Sequence, residues 1–219
     1  ERVAIKMAGF AGELRMRIPG RHNALNAAAA LALTDALVRA EEHDGAPGWN
    51  DDRLERVRWA LEDFKGSKRR AEILGETEGV LFMDDYGHHP TAIRATLEAV
   101  KDFYPNRRLV VSFMSHTYTR TAALLDAFAA SFKEAHVVLL HKIYPSARES
   151  YNGGVTGKAL FEKTRSLRDN VYYVEEPLEA QQLLKNLLRP GDLFLTMGAG
   201  DNWKLAKALM NQDARKICW

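Results

Sequence analysis

Hydrophobic and polar positions along residues 71–219 recur in one order, a short apolar run followed by a helical pattern. The apolar runs suit buried strands: "GVLFMDD" (79–85), "RRLVVSFM" (107–114), "HVVLLHKI" (136–143), "VYYVEE" (171–176) and "DLFLTMGAG" (192–200). The helical patterns, with apolar residues three or four positions apart, cover 90–104, 120–135, 157–167, 178–188 and 202–212. This alternation with short connections predicts an α/β fold, a mainly parallel sheet covered by helices on both faces.

The first 66 residues show a different order of elements. The pattern predicts an amphipathic edge strand at 12–19, helices at 23–40 and 52–64, and a solvated loop at 41–52. The basic stretch "KGSKRR" (65–70) contains a glycine and reads as a hinge. We therefore expect two domains, residues 1–66 and 67–219.

Composition narrows the possible classes of function. The net charge is +2, so the sequence lacks the large excess of positive charge that is typical of proteins binding nucleic acid or an anionic membrane. A single cysteine, Cys218, excludes an internal disulfide and suits a reducing compartment such as the cytoplasm. No apolar run is long enough to span a bilayer. The chain opens with Glu1, so we expect a fragment of a longer protein.

Polar residues follow the predicted strands where an open parallel sheet binds its ligands, beyond the strand carboxyl ends. The first strand is followed by "DDYGHH" (84–89), the second by "SHTYTR" (115–120), and the last runs into "GAGDN" (198–202). Four of the seven histidines fall at or near such ends: His88, His89, His116 and His141. This gathering of histidine and arginine favours a site at that edge.

Each cluster also has a structural interpretation. Asp84 and Asp85 could cap the helix that begins near Pro90. The adjacent His88 and His89 would point apart in a regular element, and alone they are weak signs of a metal site. "GAG" is half a dinucleotide fingerprint and more often marks a tight turn. Arg120 opens a helix, where a cation opposes the helix dipole, which favours an anionic ligand for it.

Several stretches together resemble the Mur ligases, the ATP-dependent amide-forming enzymes of peptidoglycan synthesis. "GRHNALNAAAALAL" (20–33) is similar to the His-Asn-x-x-Asn helix of the family, and "FKGSKRRAEILGE" (64–76) to the linker into its third domain. "DDYGHHPTAIRATL" (84–97) resembles the opening of that domain in the alanine-adding member. "SHTYTRT" (115–121), "IYPSARE" (143–149) and "GDLFLTMGAGDN" (191–202) follow in the family order.

The resemblance implies the C-terminal part of the central ATPase domain in 1–66 and the Rossmann-like third domain in 67–219. The implied reaction joins L-alanine to UDP-N-acetylmuramate. The muramic acid carboxylate first attacks the γ-phosphate of ATP, and the amine then displaces phosphate from the acyl phosphate. The family's phosphate-binding loop, Gly-x-x-Gly-Lys-Thr/Ser, is not in this sequence. Mg²⁺ ligands are therefore expected in a missing N-terminal half, and the chain alone is expected to be inactive.

The resemblance also implies roles for individual residues. The residues matched to nucleotide contacts are His22, Asn23 and Asn26 in the first domain, and Asp85, Tyr86 and His88 in the second. Arg70 is matched to the arginine that contacts the transferring phosphate. His116 and Arg120 are matched to residues that face the substrate carboxylate and the acyl phosphate. Those matched more weakly to the alanine side are Tyr144 and Arg148. Arg69 is the neighbour that could be confused with Arg70 in this match. No metal ligand is assigned in this chain.

One position departs from the family pattern, and three alternatives stay open. The family usually has Pro-His-Arg-Tyr at 115–118, and Thr117 stands here in place of the arginine. The alternatives are a metal-dependent phosphoesterase, a non-catalytic module that binds a nucleotide or amino acid, and a family member that recycles tripeptide. The phosphoesterase would use Asp84, Asp85, His88, His89 and His116.

Overall fold

The computed structural model describes residues 3–5, 13–41, 50–147, 149, 151 and 153–214. The chain divides into two compact units, Glu1–Gly66 and Ser67–Trp219. The first unit contains β1 (Val3–Ile5), β2 (Leu14–Met16), α1 (Arg21–Glu41) and α2 (Asp51–Asp63). The strands of the second unit are β3 (Glu72–Thr77), β4 (Val80–Asp85), β5 (Arg108–Met114), β6 (Val137–Leu140), β7 (Val171–Tyr173) and β8 (Asp192–Gly198). Its helices are α3 (Pro90–Phe103), α4 (Tyr118–Ala123), α5 (Leu125–Ala129), α6 (Gly157–Arg165), α7 (Gln181–Leu187) and α8 (Trp203–Ala214), with 3₁₀ turns at Ala130–Phe132 and Pro177–Ala180.

The first unit is built on an antiparallel pair of short strands, β1 and β2. In β2, Leu14 and Met16 are buried while Arg15 between them is exposed, which is the alternation of an amphipathic strand. These two side chains form a small core with Ala27 and Leu31 of α1. On another face of α1, leucines at 25, 33 and 37 are more than half exposed.

The second unit contains a six-stranded sheet in the order β3-β4-β8-β5-β6-β7. Only the β3–β4 pair is antiparallel, and every other pair is parallel. Successive residues of each strand enter cores on opposite faces, as the pleat requires: Val111 packs with α3, α5 and α6, whereas Val110 packs with α7 and α8. The prediction of a mainly parallel sheet with helices on both faces is confirmed.

The structure contains two strands that the sequence pattern does not predict, β1 and β3, and it divides one predicted helix. Strand β3 was not predicted, because residues 72–77 alternate in no clear apolar pattern and only partly bury their side chains at the sheet edge. The single helix predicted at 120–135 is wrong: α4 ends at Ala123, α5 begins at Leu125, and a 3₁₀ turn follows. The break at Leu124 (φ −120°, ψ 22°) is compatible with full burial of Phe128 and Phe132. Both rings pack on Phe113, with centroids 5.8 and 5.3 Å away.

Candidate active site

The two aspartates at the end of β4 are engaged within the fold. Asp84 is 1% exposed, forms an ion pair with Arg69 (Oδ2 to Nε, 2.9 Å) and accepts a 2.7 Å hydrogen bond from the Thr196 hydroxyl. Asp85 accepts from the backbone N–H groups of Ala71 (2.8 Å) and Gly87 (2.7 Å). Burial is the main cause that raises the pKa of Asp85, and those two hydrogen bonds and the Arg70 charge oppose it.

The interpretation of these aspartates as helix caps is wrong. Helix α3 begins at Pro90, and its N-cap is His89, whose Nδ1 accepts from the backbone N–H of Thr91 at 3.3 Å. Proline suits this first turn because its missing N–H would have no partner within the helix. His89 therefore belongs to the start of α3, whereas the ring of His88 packs against Tyr86 and His116.

Arg69 joins three segments near the carboxyl edge, which we define as the edge where β4, β5, β6 and β8 end. Besides Asp84, its guanidinium donates to the carbonyl oxygens of Gly198 (2.7 Å) and Gly200 (3.3 Å). It also lies 5.0 Å from the centroid of the Tyr86 ring, within cation–π range. Arg69 itself has a positive φ of 58°. This residue holds the start of the second unit against the ends of β4 and β8.

Arg70, unlike the neighbouring Arg69, is available to bind a ligand. Its side chain is exposed, and its guanidinium has no hydrogen-bond partner among the residues that the structure describes. Its charge acts on Asp85, whose pKa it helps to lower. The Arg70 guanidinium could therefore bind a ligand phosphate without first losing a hydrogen bond to the described residues.

A row of aromatic rings crosses the carboxyl edge from β4 to β5. Tyr86 and His88 pack edge to face with centroids 5.1 Å apart, and His88 and His116 do so at 5.8 Å. Nδ1 of His88 lies 2.9 Å from the Tyr86 carbonyl oxygen. Because a carbonyl only accepts, Nδ1 carries the proton, and in the neutral ring Nε2 of His88 is therefore an acceptor. The tilted His116–Tyr144 pair, at 6.1 Å, continues the row.

Buried polar atoms without a partner gather after β5. Nδ1 of His116, Nη1 of Arg120 and Oγ of Ser115 are buried and make no hydrogen bond in the described part of the chain. Burial of a polar atom without a hydrogen bond is unfavourable, so such groups often mark a ligand position. The pKa of His116 is lowered, first by burial and then by the charges of His88 and Arg120, while Glu149 opposes the shift.

The backbone after β5 is held in a sparsely populated conformation. Thr117 has φ 68° and ψ 136°, which is strained for a β-branched residue. Two hydrogen bonds fix this segment to the next loop: Thr117 N–H to the Tyr144 carbonyl (3.0 Å), and Tyr144 N–H to the Ser115 carbonyl (2.8 Å). They bring Tyr144 beside His116, whereas Arg148 lies outside the described residues.

Glu149 helps to build the candidate site, although the sequence pattern does not indicate it. Its carboxylate accepts from the backbone N–H groups of Tyr118 (2.6 Å) and Thr119 (2.9 Å) at the start of α4. These hydrogen bonds, the Thr119 backbone bond being the largest cause, lower the pKa of Glu149. The only sequence signal was its place at the end of "IYPSARE". Its effect is to fix the segment that carries Arg120.

The glycine-rich end of β8 forms a tight turn, as the pattern predicted. Gly198 has φ 126°, and a Cβ there would lie 2.2 Å from the Met114 carbonyl oxygen. A Cβ on Gly200 would lie 2.5 Å from Met114 Sδ. The buried Asn202 amide donates to the carbonyls of Ser112 (3.0 Å) and Met197 (2.8 Å). The turn brings β8 close to β5 and leaves no room for side chains.

His141 belongs to the sheet and not to the candidate site, in contrast to its grouping with the other histidines. Its Nδ1 donates to the Val174 carbonyl (2.7 Å), so Nε2 accepts from the Ser112 hydroxyl (2.8 Å). Burial lowers its pKa to about 4, which makes it neutral near pH 7.

The three predicted nucleotide residues of the first domain lie at the start of α1. The Asn23 amide donates to the Pro19 carbonyl at 2.6 Å, which supports the helix terminus. His22 and Asn26 are exposed. These residues belong to the first unit, whereas the other described candidates belong to the second.

The structure also bears on two classes of site. Among the described residues, no three His, Cys, Asp or Glu side chains are grouped so that they could hold a metal ion. Asp84, Asp85 and His89 have the separate contacts given above, so the ligand set of the phosphoesterase alternative is not assembled. In the same part of the chain, none of the helices combines the length and apolarity that a membrane crossing needs.

Comparison with known proteins places this geometry in a family. The sequence model of the glutamate ligase domain of Mur ligases matches residues 69–200. A UDP-N-acetylmuramate–L-alanine ligase of Treponema pallidum (strain Nichols) is 51% identical over 216 residues, which are 99% of this chain and 44% of the relative. The ligase of the same name from Borrelia garinii subsp. bavariensis is 40% identical over 184 residues, 84% of this chain and 38% of the relative. The chain thus spans less than half the length of these curated relatives.

Solved structures agree with the sequence comparison. The UDP-N-acetylmuramate–alanine ligase of Thermotoga maritima has a TM-score of 0.72 and 28% identity, and the match covers 94% of this chain and 41% of that one. Folylpolyglutamate synthase of Mycobacterium tuberculosis, solved with ADP, shares the fold alone, at TM-score 0.60 and 18% identity over 94% of this chain and 42% of that one. With a family match over more than half of its length, the chain belongs to the Mur ligase family.

Proposed function

We propose that this chain is the C-terminal part of an ATP-dependent ligase that joins L-alanine to UDP-N-acetylmuramate through an acyl phosphate. The similarity to alanine-adding ligases over nearly the whole chain supports this choice within the family. The structural observation that carries it is a group of buried polar atoms at the carboxyl edge, on His116, Arg120 and Ser115, which have no hydrogen-bond partner among the described residues. Such preorganised groups suit an anion whose charge changes during the reaction.

Arg70 is proposed to contact the transferring phosphate. Phosphoryl transfer depends on positioning and charge neutralisation, and a guanidinium can meet two phosphate oxygens at once. His116 and Arg120 would hold the muramic acid carboxylate and then the acyl phosphate. The lowered pKa of His116 keeps it neutral before the anion arrives. Tyr144 and Arg148 would lie on the alanine side.

ATP is the proposed nucleotide, with its adenosine beside Tyr86 and His88 and near Asp85. The free Nε2 of His88 can accept a hydrogen bond, and the two rings offer an apolar surface. His22, Asn23 and Asn26 would contribute from the first unit, where an exposed amide can both donate to and accept from a base edge. Mg²⁺ is expected to bind residues that precede this chain, because the resemblance implies magnesium ligands in the part of the family's central domain that this sequence does not contain.

Residues 1–66 are proposed to be the end of the central ATPase domain, and residues 67–219 the third domain. The proposed partners are UDP-N-acetylmuramate, L-alanine and the preceding half of the same enzyme. We place the enzyme in the cytoplasm, where ATP is available and a lone cysteine stays reduced.

The test is an amide-formation assay on the full-length protein with UDP-N-acetylmuramate, ATP and a panel of amine substrates. We expect ATP-dependent coupling of L-alanine that exceeds coupling of glycine or of the murein tripeptide. Preferred coupling of the tripeptide would support the recycling alternative. Absence of any coupling, with nucleotide binding retained, would support the non-catalytic alternative.

A further inference from the structure

A cleft lies at the opposite edge of the sheet from the candidate active site. It has a volume of about 520 Å³ and is lined where β5, β6 and β7 begin, together with α7. Its size falls within the range of small-molecule sites, roughly 300–1,000 Å³. Strands of this length separate the two edges by roughly 20 Å, so the cleft is not an extension of the carboxyl edge.

Two arginines present unused donors to this cleft. Arg108 uses Nε and Nη2 on the Asp192 carboxylate (2.9 and 2.7 Å) and Nη2 also on the Leu187 carbonyl, which leaves Nη1 without a partner in the described part of the chain. The Asp192 ion pair fixes the orientation of this guanidinium. Arg189 is exposed, and the structure shows no partner for its guanidinium among the described residues.

His136 adds a third donor of defined tautomer. Its Nδ1 accepts from the backbone N–H of Leu109 at 3.0 Å, so the ring proton of the neutral form is on Nε2. The pKa of His136 is lowered, first by burial and then by the charges of Lys101, Arg108 and Arg168, with Asp192 opposing. A bound anion would relieve this repulsion.

The local charges favour an anionic ligand. Lys101 is paired with Glu134 and Arg108 with Asp192, so these four groups cancel. Arg168 donates to the carbonyls of Phe132 and Ala135, which carry no charge. Among the charged side chains that line the cleft, the charge of Arg189 is not paired with a carboxylate in the described part of the chain, so the lining is net positive.

The remaining lining of the cleft suits a planar group on the ligand. Tyr172 is 37% exposed and contributes its ring, and Leu183 and Leu187 of α7 add apolar surface. The amides of Asn170 and Asn186 lie on the same cleft and can donate or accept. A few directed polar groups on an apolar wall are the usual composition of a small-molecule site.

We propose that this cleft binds a phosphate monoester, with the phosphate between Arg108, Arg189 and His136 and a planar group against Tyr172. The site is separate from the ligase centre, and the inference does not rest on the proposed function. A phosphate group matches the net positive lining, and its several oxygens can accept from Arg108 Nη1, the Arg189 guanidinium and His136 Nε2.

Phenyl phosphate is the probe, and the 219-residue chain at pH 7.5 is the sample. The ring signals of His136, identified by their loss in His136→Gln, are followed by NMR as the probe is added. We expect saturable shifts and a rise in the pKa of His136. Arg189→Ala should weaken binding at least tenfold, and Arg189→Lys should weaken it less. Arg94→Ala removes an exposed cation on α3, away from the cleft, and should leave binding unchanged.

The outcomes separate clearly. Shifts that grow linearly with concentration, or that Arg189→Ala and Arg94→Ala change equally, would overturn the site. Equal affinity for benzoate would overturn the assignment to phosphate, because a single negative charge would then suffice. If Tyr172→Ser no longer binds phenyl phosphate but still binds inorganic phosphate, the result would support a planar ligand group against Tyr172.

Discussion

Two consecutive arginines, Arg69 and Arg70, have different surroundings in the second unit. Arg69 is used inside the fold, on Asp84 and on the carbonyls of the glycine-rich turn. Arg70 is exposed, and its charge helps to lower the pKa of Asp85. The resemblance singled out Arg70, but nothing in the letters "RR" shows that Arg69 organises the site, because its partners are 15 to 131 positions away.

Arg69→Ala should destabilise the second unit, and Arg70→Ala should not. Removing Arg69 leaves Asp84 buried without its partner, which costs on the order of 3 kcal/mol. Removing an exposed, unpaired side chain changes stability by less than about 0.5 kcal/mol. Urea unfolding of both variants, followed at signals of the second unit, measures the difference. Equal losses would contradict the assignment.

Arg120 and Thr117 are expected to differ in catalysis. In the full-length enzyme, Arg120→Ala should lower kcat/KM for UDP-N-acetylmuramate by about 100-fold, because a buried donor to an anion is lost. Thr117→Ala removes no charged group, so its effect should stay below about tenfold. Steady-state kinetics with saturating ATP measures both. Similar losses would argue that Arg120 does not face the anion.

His141 should make stability depend on pH. Its pKa is about 4 in the folded chain against 6.5 ordinarily, so the unfolded chain takes up this proton first as the pH falls. The contribution of neutral His141 is complete above about pH 6.5 and is lost between there and about pH 4, on the order of 3 kcal/mol in total.

The free energy of unfolding, measured by urea between pH 4 and 7, tests this expectation. His141→Gln should show a shallower dependence than the unmodified chain, while His89→Gln, a change at the exposed cap of α3, should keep the original slope. Parallel slopes for all three proteins would rule His141 out as the titrating group.

At the scale of elements, the helices and strands with regular periodicity could be predicted from the sequence. Strands β4, β5 and β8 are continuous apolar runs because both of their faces are covered, and α3 carries a clear apolar stripe. Strand β3 could not be predicted, since it pairs at the edge and buries little. The break at Leu124 accompanies the packing of Phe128 and Phe132 on Phe113, a tertiary contact that local helix propensity does not reveal.

The turn after β8 should tolerate no side chain at Gly198. Gly198→Ala combines a positive φ with a Cβ 2.2 Å from a backbone oxygen, so we expect a loss above about 2 kcal/mol. Gly191→Ala is the matched control, because Gly191 has φ 93° and an added Cβ would meet no atom within 4 Å. It should lose only the conformational part, about 1 kcal/mol. Thermal unfolding of both variants compares them, and equal losses would show that the contact with Met114 is unimportant.

At the scale of the whole molecule, the candidate residues are divided between two units. His22, Asn23 and Asn26 lie in Glu1–Gly66, and the donors of the carboxyl edge lie in Ser67–Trp219. The sequence matches less than half of its curated relatives, and the family's phosphate-binding loop is not part of it. We therefore expect nucleotide and substrate groups here to work only with the preceding half of the enzyme.

The most direct measurement is amide formation from UDP-N-acetylmuramate, ATP and L-alanine by three samples: this chain, the preceding half of the enzyme, and the full-length protein. We expect no turnover from either part alone and ATP-dependent turnover from the full-length protein, which falls at least 100-fold on Arg70→Ala. Turnover by this chain alone, or a full-length protein that ligates L-alanine equally well without Arg70, would contradict this expectation.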